Sequence, residues 1–414
     1  MENLQGILGL VAITLGCAAF SFDRKSIRPG LVVKSLALQF VFALLLLKLP
    51  GSQHLFRLLN QGIAVLQDAT RAGTSFIFGH LGGGAVPYDV VDEGAGVILA
   101  FQTLPLVIVI SVLSGLLIYS GILPVILRLM SLLLEKTLRI GGAPGFAIVA
   151  NAFLGMVEAP LLIRPYLARL SSSELFSVMV AGMATIAGSM MAIEAAVISD
   201  VVPDAVGHLF SASLITLPGV VYVSHLLMPN TGAITSREGT VDRGGSSVMD
   251  VVARSTQVGL QIFLNIIAMA IVVVALVYLV NAFLGLFPGF GGRPVTLERL
   301  LGYVLAPMTW LMGIPWRDAL VTGELLGAKT VLTEFIAYVR LGELSPDTLG
   351  LRSRTIIAYA LCGFANFISL GIMVTGLITM VPERRDEIIR FGFRSLIAGS
   401  LATFSAACVV GILL

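Results

Sequence analysis

Long apolar runs alternate with short polar segments along almost the whole chain. A helix needs about 20 apolar residues to cross the hydrocarbon core of a bilayer. Eight runs approach or exceed that length, and they cover residues 4–20, 31–49, 97–119, 175–198, 206–227, 258–286, 355–380 and 395–414. The pattern predicts an all-α integral membrane protein with eight transmembrane helices.

Two further apolar stretches, 146–162 and 320–339, lack the pattern of a simple span. Glu158 lies within the first stretch, and Glu324 and Glu334 lie within the second. Polar, interrupted segments at membrane depth are tolerated only where they are buried in protein or line an aqueous cavity. We therefore predict two re-entrant hairpins, each of which enters and leaves the membrane on the same side.

Amphipathic segments at 54–78 and 125–138 predict helices that lie along the membrane plane. The stretch 231–245 is rich in Gly, Ser, Thr and charged residues, which predicts a cytoplasmic loop.

Glu2 precedes the first apolar run, whereas Arg24, Lys25 and Arg28 follow it, so we interpret this run as an uncleaved span. The positive-inside rule then places both termini on the outer side.

The composition agrees with a membrane protein. Of the 414 residues, 57% are apolar and 12% are charged, whereas soluble proteins average about 25% charged residues. A formal net charge of +2 indicates no basic surface for nucleic acid, and membrane lipid is the expected surrounding. The three cysteines lie in apolar runs and the four histidines are scattered, so neither a disulfide framework nor a zinc site is expected.

A weak internal repeat relates the two hairpins. Each precedes a span whose middle is polar or rich in glycine, at 184–189 and at 363–371. Ser171 and Glu174 form a capping-box pattern before the first of these spans, and Ser345-Pro346 predicts a helix start before the second. Because the hairpins start from opposite membrane sides, the repeat is inverted, which is typical of secondary transporters.

This order predicts four parts of the chain. They are the N-terminal spans and interfacial helices (1–145), the first repeat unit (146–228), a cytoplasmic loop with a long scaffold span and an outer interfacial helix (229–319), and the second repeat unit (320–414).

Ionisable groups at membrane depth are costly and therefore indicate functional sites. Four acids have this position: Glu158, Glu194, Glu324 and Glu334. The alternative is that such an acid is protonated or paired and serves only packing. Asn151, Thr185, Asn366 and Ser369 lie near the same interruptions; polar residues of this kind form interhelical hydrogen bonds or, where they converge, bind a polar solute and a cation.

Four motifs carry a resemblance to a known family. Residues 151–160 with Arg164-Pro-Tyr166 resemble the first hairpin of the concentrative nucleoside transporter family, and residues 323–338 resemble its second hairpin. Residues 184–189 and 362–371 resemble its two broken spans. The motifs occur in the family's order, and the layout is that of the bacterial eight-span type.

The resemblance implies a homotrimer in a bacterial inner membrane that imports a nucleoside by cation symport with an elevator motion. It places Glu334, Asn366 and Ser369 on the ribose hydroxyls and Phe364 on the pocket wall. Glu158 would face the base, directly or through water, and Met190 would pack on it. The implied Na⁺ ligands are the Asn151 side chain, the Thr185 hydroxyl and the carbonyls of Leu154 and Ile186, and no other cofactor is implied.

The sequence departs from the family's pattern around the base. Met156-Val157 stands where the family usually has Gln-Thr, and Ile368-Ser369 stands where it usually has Ser-Ser. Met and Val form no hydrogen bond with a base edge, and Met adapts to apolar or aromatic faces. We therefore expect a nucleoside or ribosyl-like substrate with an altered base preference.

Three alternatives remain open at this point. Coupling to H⁺ through Glu158 or Glu334 is the first, although the Thr185 hydroxyl favours Na⁺. A transporter-derived channel or receptor for a different polar solute is the second. An intramembrane enzyme is the third, but the chain has no paired-His metal motif, nucleophile elbow or Walker loop, so we expect no enzyme.

Overall fold

A computed structural model of the protein describes residues 2–49, 51–86, 98–230, 232, 235, 245–289, 294–345 and 347–414. Within these ranges the regular elements are all helical, which confirms the predicted all-α class. The α-helices are α1 (Glu2–Ala19), α2 (Pro29–Leu47), α3 (Ser52–Phe78), α4 (Leu99–Gln102), α5 (Leu106–Tyr119), α6 (Ile122–Leu138), α7 (Gly142–Leu154), α8 (Glu158–Leu161), α9 (Arg164–Leu167), α10 (Ser172–Ala184), α11 (Gly188–Ile198), α12 (Ala205–Leu227), α13 (Val248–Leu284), α14 (Leu297–Leu311), α15 (Trp316–Val331), α16 (Glu334–Glu343), α17 (Leu351–Leu361), α18 (Phe367–Met380) and α19 (Arg385–Leu413).

Six described segments are long and apolar enough to cross a membrane. They are Pro29–Leu47, Leu99–Tyr119, Ser172–Ile198, Ala205–Leu227, Val248–Leu284 and Pro382–Leu413. The predicted first span forms the shorter helix α1, and the predicted seventh is divided into α17 and α18. The protein is thus a multi-pass membrane protein, and the count of eight spans stays a prediction. Val97 and most of the predicted loop 231–245 lie outside the described residues.

Both predicted hairpins are helix–turn–helix elements, but they are longer than the sequence indicated. The first has α7 as its entering limb and the short helices α8 and α9 as its returning limb, so it runs well beyond residue 162. Pro165 lies in the first turn of α9 and donates no backbone hydrogen bond, so α8 does not continue into α9. The second hairpin consists of α15 and α16 and is helical from Trp316 to Glu343 around its turn.

One predicted helix start is confirmed and one is wrong. Ser171 and Glu174 form the capping box of α10, in which each side chain accepts from the other residue's backbone N–H. The helix predicted at Ser345 begins instead at Leu351, after an extended Gly350. The Thr348 N–H donates to the Ser345 carbonyl, so this part of the chain forms a turn before the helix begins.

The two broken helices are α10–α11 and α17–α18, of which α10, α11 and α17 are largely buried and α18 buries only one side. The unbroken helices α12 and α19 pack against them and against each other. Each hairpin is followed by a broken and then an unbroken helix, which is the order that the internal repeat predicts. The long helix α13 lies at the periphery against α5, with only a few of its residues buried.

A polar contact joins α13, α14 and the second hairpin. Glu298 of α14 accepts from Arg340 of α16 at 2.8 Å and from Asn281 of α13 at 3.0 Å. Burial opposes the ionisation of Glu298, but these hydrogen bonds outweigh it and lower the pKa of its carboxyl group below the usual value.

This shift predicts an acid-sensitive contribution to stability. A carboxyl group whose pKa is lowered in the folded state stabilises the protein above its unfolded-state pKa, and the stabilisation is lost as the pH falls through the folded-state pKa. We expect the apparent melting temperature to fall between about pH 5 and pH 3, and to fall less in Glu298→Gln. Glu383→Gln, which changes an exposed acid, is the control. An identical acid response in Glu298→Gln and the wild type would contradict the prediction.

Candidate functional site

The two helix interruptions meet in the interior. Residues 185–187 separate α10 from α11, and residues 362–366 separate α17 from α18. Gly363 has φ +152°, and a methyl group at its position would lie 2.7 Å from the Ala184 carbonyl oxygen. Only glycine combines this backbone conformation with so close an approach. The two broken helices therefore cross where both are interrupted.

The tip of the first hairpin contacts the start of α11. Gly155 ends α7 with φ +108°, and a methyl group there would lie 2.9 Å from Glu158 Oε2 and 3.2 Å from Ala187 Cβ. Likewise, a methyl group at Gly188 would lie 3.2 Å from the Phe153 carbonyl oxygen. The turn thus holds the Glu158 carboxylate beside the interruption of the first broken helix.

The tip of the second hairpin is bonded to the second broken helix. Thr333 caps α16 by accepting from the Ile336 N–H, which places Glu334 in the first helical turn. The side-chain amide N–H of Asn366 donates to Glu334 Oε2 at 2.7 Å. The side-chain oxygen of Asn366 (Oδ1) accepts from the Ser369 backbone N–H at 2.8 Å. Asn366 is both the N-cap of α18 and a fixed hydrogen-bond donor to the Glu334 carboxylate.

Two further hydrogen bonds attach the second hairpin to the end of α17. The ammonium group of Lys329 donates to the Ala360 carbonyl at 2.9 Å, and the hydroxyl of Tyr338 donates to the Ala358 carbonyl at 2.7 Å. The last carbonyl groups of a helix have no partner within that helix. Buried side chains of the hairpin thus satisfy the backbone groups that the interruption leaves without helical partners.

One cavity of about 370 Å³ lies between the hairpin tips, the broken helices and α13. Seven of the eight predicted substrate residues line it: Met156, Val157, Glu158, Met190, Glu334, Phe364 and Ser369. Asn366, the eighth, is fully buried behind the cavity wall and contacts Glu334. The other two membrane-depth acids, Glu194 and Glu324, do not line this cavity.

The predicted cation ligands lie where the first hairpin meets the first broken helix. Asn151 donates its amide N–H to the Ala147 carbonyl, and its buried carbonyl oxygen has no hydrogen-bond partner among the described residues. The buried Thr185 hydroxyl donates to the Ala181 carbonyl, so its oxygen keeps free lone pairs. Leu154 ends α7, and Ile186 lies in the interruption, where backbone carbonyls lack helical donors. This set of oxygen atoms fits a hard cation such as Na⁺.

The cavity wall that α13 supplies was not predicted from the sequence. Gln261 and Asn265 of α13 line the same cavity as the hairpin tips, together with apolar neighbours on α13. Their spacing of four residues within an apolar run was the available signal, because residues four apart share one face of a helix. Thr333 and Ser189 also line the cavity and were not predicted.

Comparison with known proteins agrees with this architecture. Family models described as the Na⁺ dependent nucleoside transporter N-terminus and C-terminus match residues 8–81 and 208–411, and a model described as nucleoside recognition matches residues 100–200. The putative nucleoside permease NupX of Escherichia coli is 33% identical over 420 residues, which cover 99% of each chain. The nucleoside permease NupC of Helicobacter pylori is 31% identical over 99% of this chain and 98% of its own.

The fold agrees as well. The structure of CNTnw in an inward-facing, substrate-bound state has a TM-score of 0.90 and 31% sequence identity, and the match covers 100% of this chain and 98% of that one. A CNTnw variant in an outward-facing state has a TM-score of 0.89. These relatives are transporters and permeases rather than enzymes. The chain belongs to the concentrative nucleoside transporter family.

Proposed function

We propose that the protein imports a nucleoside, or a similar riboside, by symport with Na⁺. The observation that carries the proposal is that both acid-bearing hairpin tips line one cavity. Glu334 and Ser369 present a carboxylate and a hydroxyl, which are suitable partners for vicinal ribose hydroxyls. Asn366 fixes the orientation of Glu334 through its 2.7 Å hydrogen bond. Phe364 lines the same cavity beside these groups.

The base would occupy the part of the cavity near the first hairpin. Met156, Val157 and Met190 are apolar, and Glu158 is the acid that reaches this part of the wall. Such a surface favours stacking and dispersion contacts over hydrogen bonds with the base. The base preference therefore differs from that of relatives with polar residues at the hairpin tip.

Coupling would arise because the cation site and the substrate site share the first hairpin tip. Leu154 lines the cavity, and its carbonyl is a proposed ligand of Na⁺. A bound cation would fix the ends of α7 and α10, and with them the wall that holds the base. Substrate then binds more tightly when Na⁺ is present, and the effect is reciprocal.

Alternating access would move the hairpins and broken helices as one body past α13 and α5. CNTnw is known in inward-facing, outward-facing and intermediate states, and this chain shares its fold. We further propose a homotrimer in a bacterial inner membrane, with both termini on the outer side. The lightly buried surface of α13 is available for contact with a neighbouring protomer.

Uptake into proteoliposomes tests the coupling. We expect saturable nucleoside uptake and counterflow that require external Na⁺ and resist proton uncouplers. Replacing the Thr185 hydroxyl by a methyl group (Thr185→Val) should weaken the apparent Na⁺ affinity by at least about tenfold, since it removes a ligand oxygen. Uptake that does not depend on Na⁺ and is abolished by a proton uncoupler would establish H⁺ coupling instead. Uptake that does not saturate with substrate concentration would indicate a channel.

Thr379→Val is the matched control. The Thr379 hydroxyl also donates to the carbonyl four residues earlier at 2.9 Å, but Thr379 is exposed on α18 away from the cavity. Equal losses of Na⁺ affinity in the two variants would show that the Thr185 effect is not ligand loss.

A further inference from the structure

One wall of the cavity has a polar pair that the proposed ribose and cation contacts do not use. Gln261 and Asn265 lie one turn apart on the face of α13 that also presents Val258, Ile262 and Ile266 to the cavity. Both amides are exposed at the cavity, and the described residues give neither of them a protein hydrogen-bond partner. They are therefore available to a ligand.

The surroundings of the pair indicate a solute-facing role. An uncharged polar side chain within an apolar spanning helix normally bonds to another helix or faces an aqueous path. Here the pair faces the cavity, and α13 is otherwise mostly apolar over this region. The opposite wall, at Met156 and Val157, offers no side-chain hydrogen bond to a base.

We propose that Gln261 and Asn265 determine base specificity by hydrogen bonding to the edge of the nucleobase. This inference rests on the proposed nucleoside transport. A carboxamide presents an acceptor oxygen beside a donor N–H₂ group, which complements a base edge that carries a donor beside an acceptor. The substrate class is thus a nucleoside with a hydrogen-bonding base, rather than any riboside with a flat apolar ring.

The location gives these contacts a second property. Ribose contacts come from the hairpin tips and broken helices, whereas the amide contacts come from α13, which packs against α5. The base is therefore contacted from α13 as well as from the first hairpin, whereas the proposed ribose contacts come from the hairpin tips and broken helices alone. Movement of the hairpins past α13 would break the contacts from Gln261 and Asn265, while the ribose contacts and the base contacts of the first hairpin remain.

Equilibrium binding to purified protein in nanodiscs tests the proposal. The ligands are adenosine, cytidine, uridine and 1-ribosylbenzene, which keeps the sugar and a flat ring but has no hydrogen-bonding edge. We expect Gln261→Leu and Asn265→Leu each to weaken binding of the preferred nucleoside by roughly three- to tenfold, the effect of one lost hydrogen bond. Binding of 1-ribosylbenzene should be unchanged, which also reports that the variants are folded.

Gln257→Leu is the matched control, because Gln257 lies one turn before Gln261 on α13 but outside the cavity lining. It should leave all affinities unchanged. The inference would be overturned if both cavity variants bound the nucleosides with wild-type affinity. It would also be overturned if the variants lost equal affinity for the nucleosides and for 1-ribosylbenzene. Neither result would contradict the proposed transport function. Failure of the wild type to bind any of the three nucleosides would overturn the proposed function and the inference with it.

Discussion

Replacing Glu334 by glutamine is expected to weaken nucleoside binding by at least roughly 100-fold. A hydrogen bond to a charged group contributes about 1.5–3 kcal/mol, and a carboxylate that accepts from two ribose hydroxyls makes two of them. The glutamine also turns an N–H₂ group toward the hydroxyls or toward Asn366, whose amide already donates to Glu334 at 2.7 Å. Isothermal titration with a ribonucleoside measures the loss.

The control for this variant is Glu343→Gln at the exposed end of the same helix, α16, which should bind normally. The 2′- and 3′-deoxy analogues show whether the sugar is involved. We expect these analogues to bind the wild type weakly, because a polar group of the site is then left unpaired, and to lose less affinity in Glu334→Gln than the ribonucleoside does. Equal losses for all three ligands would contradict a contact between Glu334 and the ribose.

Replacing Gly363 by alanine is expected to lower the stability of the folded protein by on the order of 3 kcal/mol. The added methyl group would meet the Ala184 carbonyl oxygen at 2.7 Å, and alanine rarely adopts φ +152°. Since this contact lies at the crossing of the two broken helices, substrate binding should fall as well. The apparent melting temperature, measured by fluorescence-detected size exclusion, reports the loss.

Gly371→Ala provides the comparison, because a methyl group at Gly371 meets nothing within 4 Å. Gly371 lies inside α18, where alanine favours the helix by about 1 kcal/mol. This variant should be as stable as the wild type or slightly more so. If the two alanine variants had the same apparent melting temperature, the prediction would be contradicted, because the helix crossing would then accommodate a methyl group at Gly363.

Much of the site could be predicted because polar groups are costly at membrane depth. That rule alone selected Glu158 and Glu334, which the structure brings to one cavity. It also selected Glu194 and Glu324, which lie elsewhere, since the cost of burial does not reveal which wall a residue faces. The position of Asn366 behind Glu334 depends on how α18 is capped, and that requires the fold.

Other features of the fold could not be predicted from the hydropathy pattern. The returning limb of the first hairpin is divided into two four-residue helices, which are too short to give a periodic signal. The cavity-facing side of α13 is hard to recognise because the helix is apolar on most sides, so periodicity does not distinguish lipid from cavity. Ser345-Pro346 is a sequence typical of a helix start. The chain forms a turn there, in which the Thr348 N–H donates to the Ser345 carbonyl, and the helix begins only at Leu351.

The bonds from Lys329 and Tyr338 to the end of α17 limit how the second hairpin opens. Both limbs are anchored to the same helix terminus, one on each side of the turn. A hinge motion at the base of the hairpin would have to break two buried hydrogen bonds at once. This costs free energy because no water is available in the interior to replace them. A displacement confined to residues 330–337 would keep both of these bonds, but it would have to break the 2.7 Å hydrogen bond from Asn366 to Glu334.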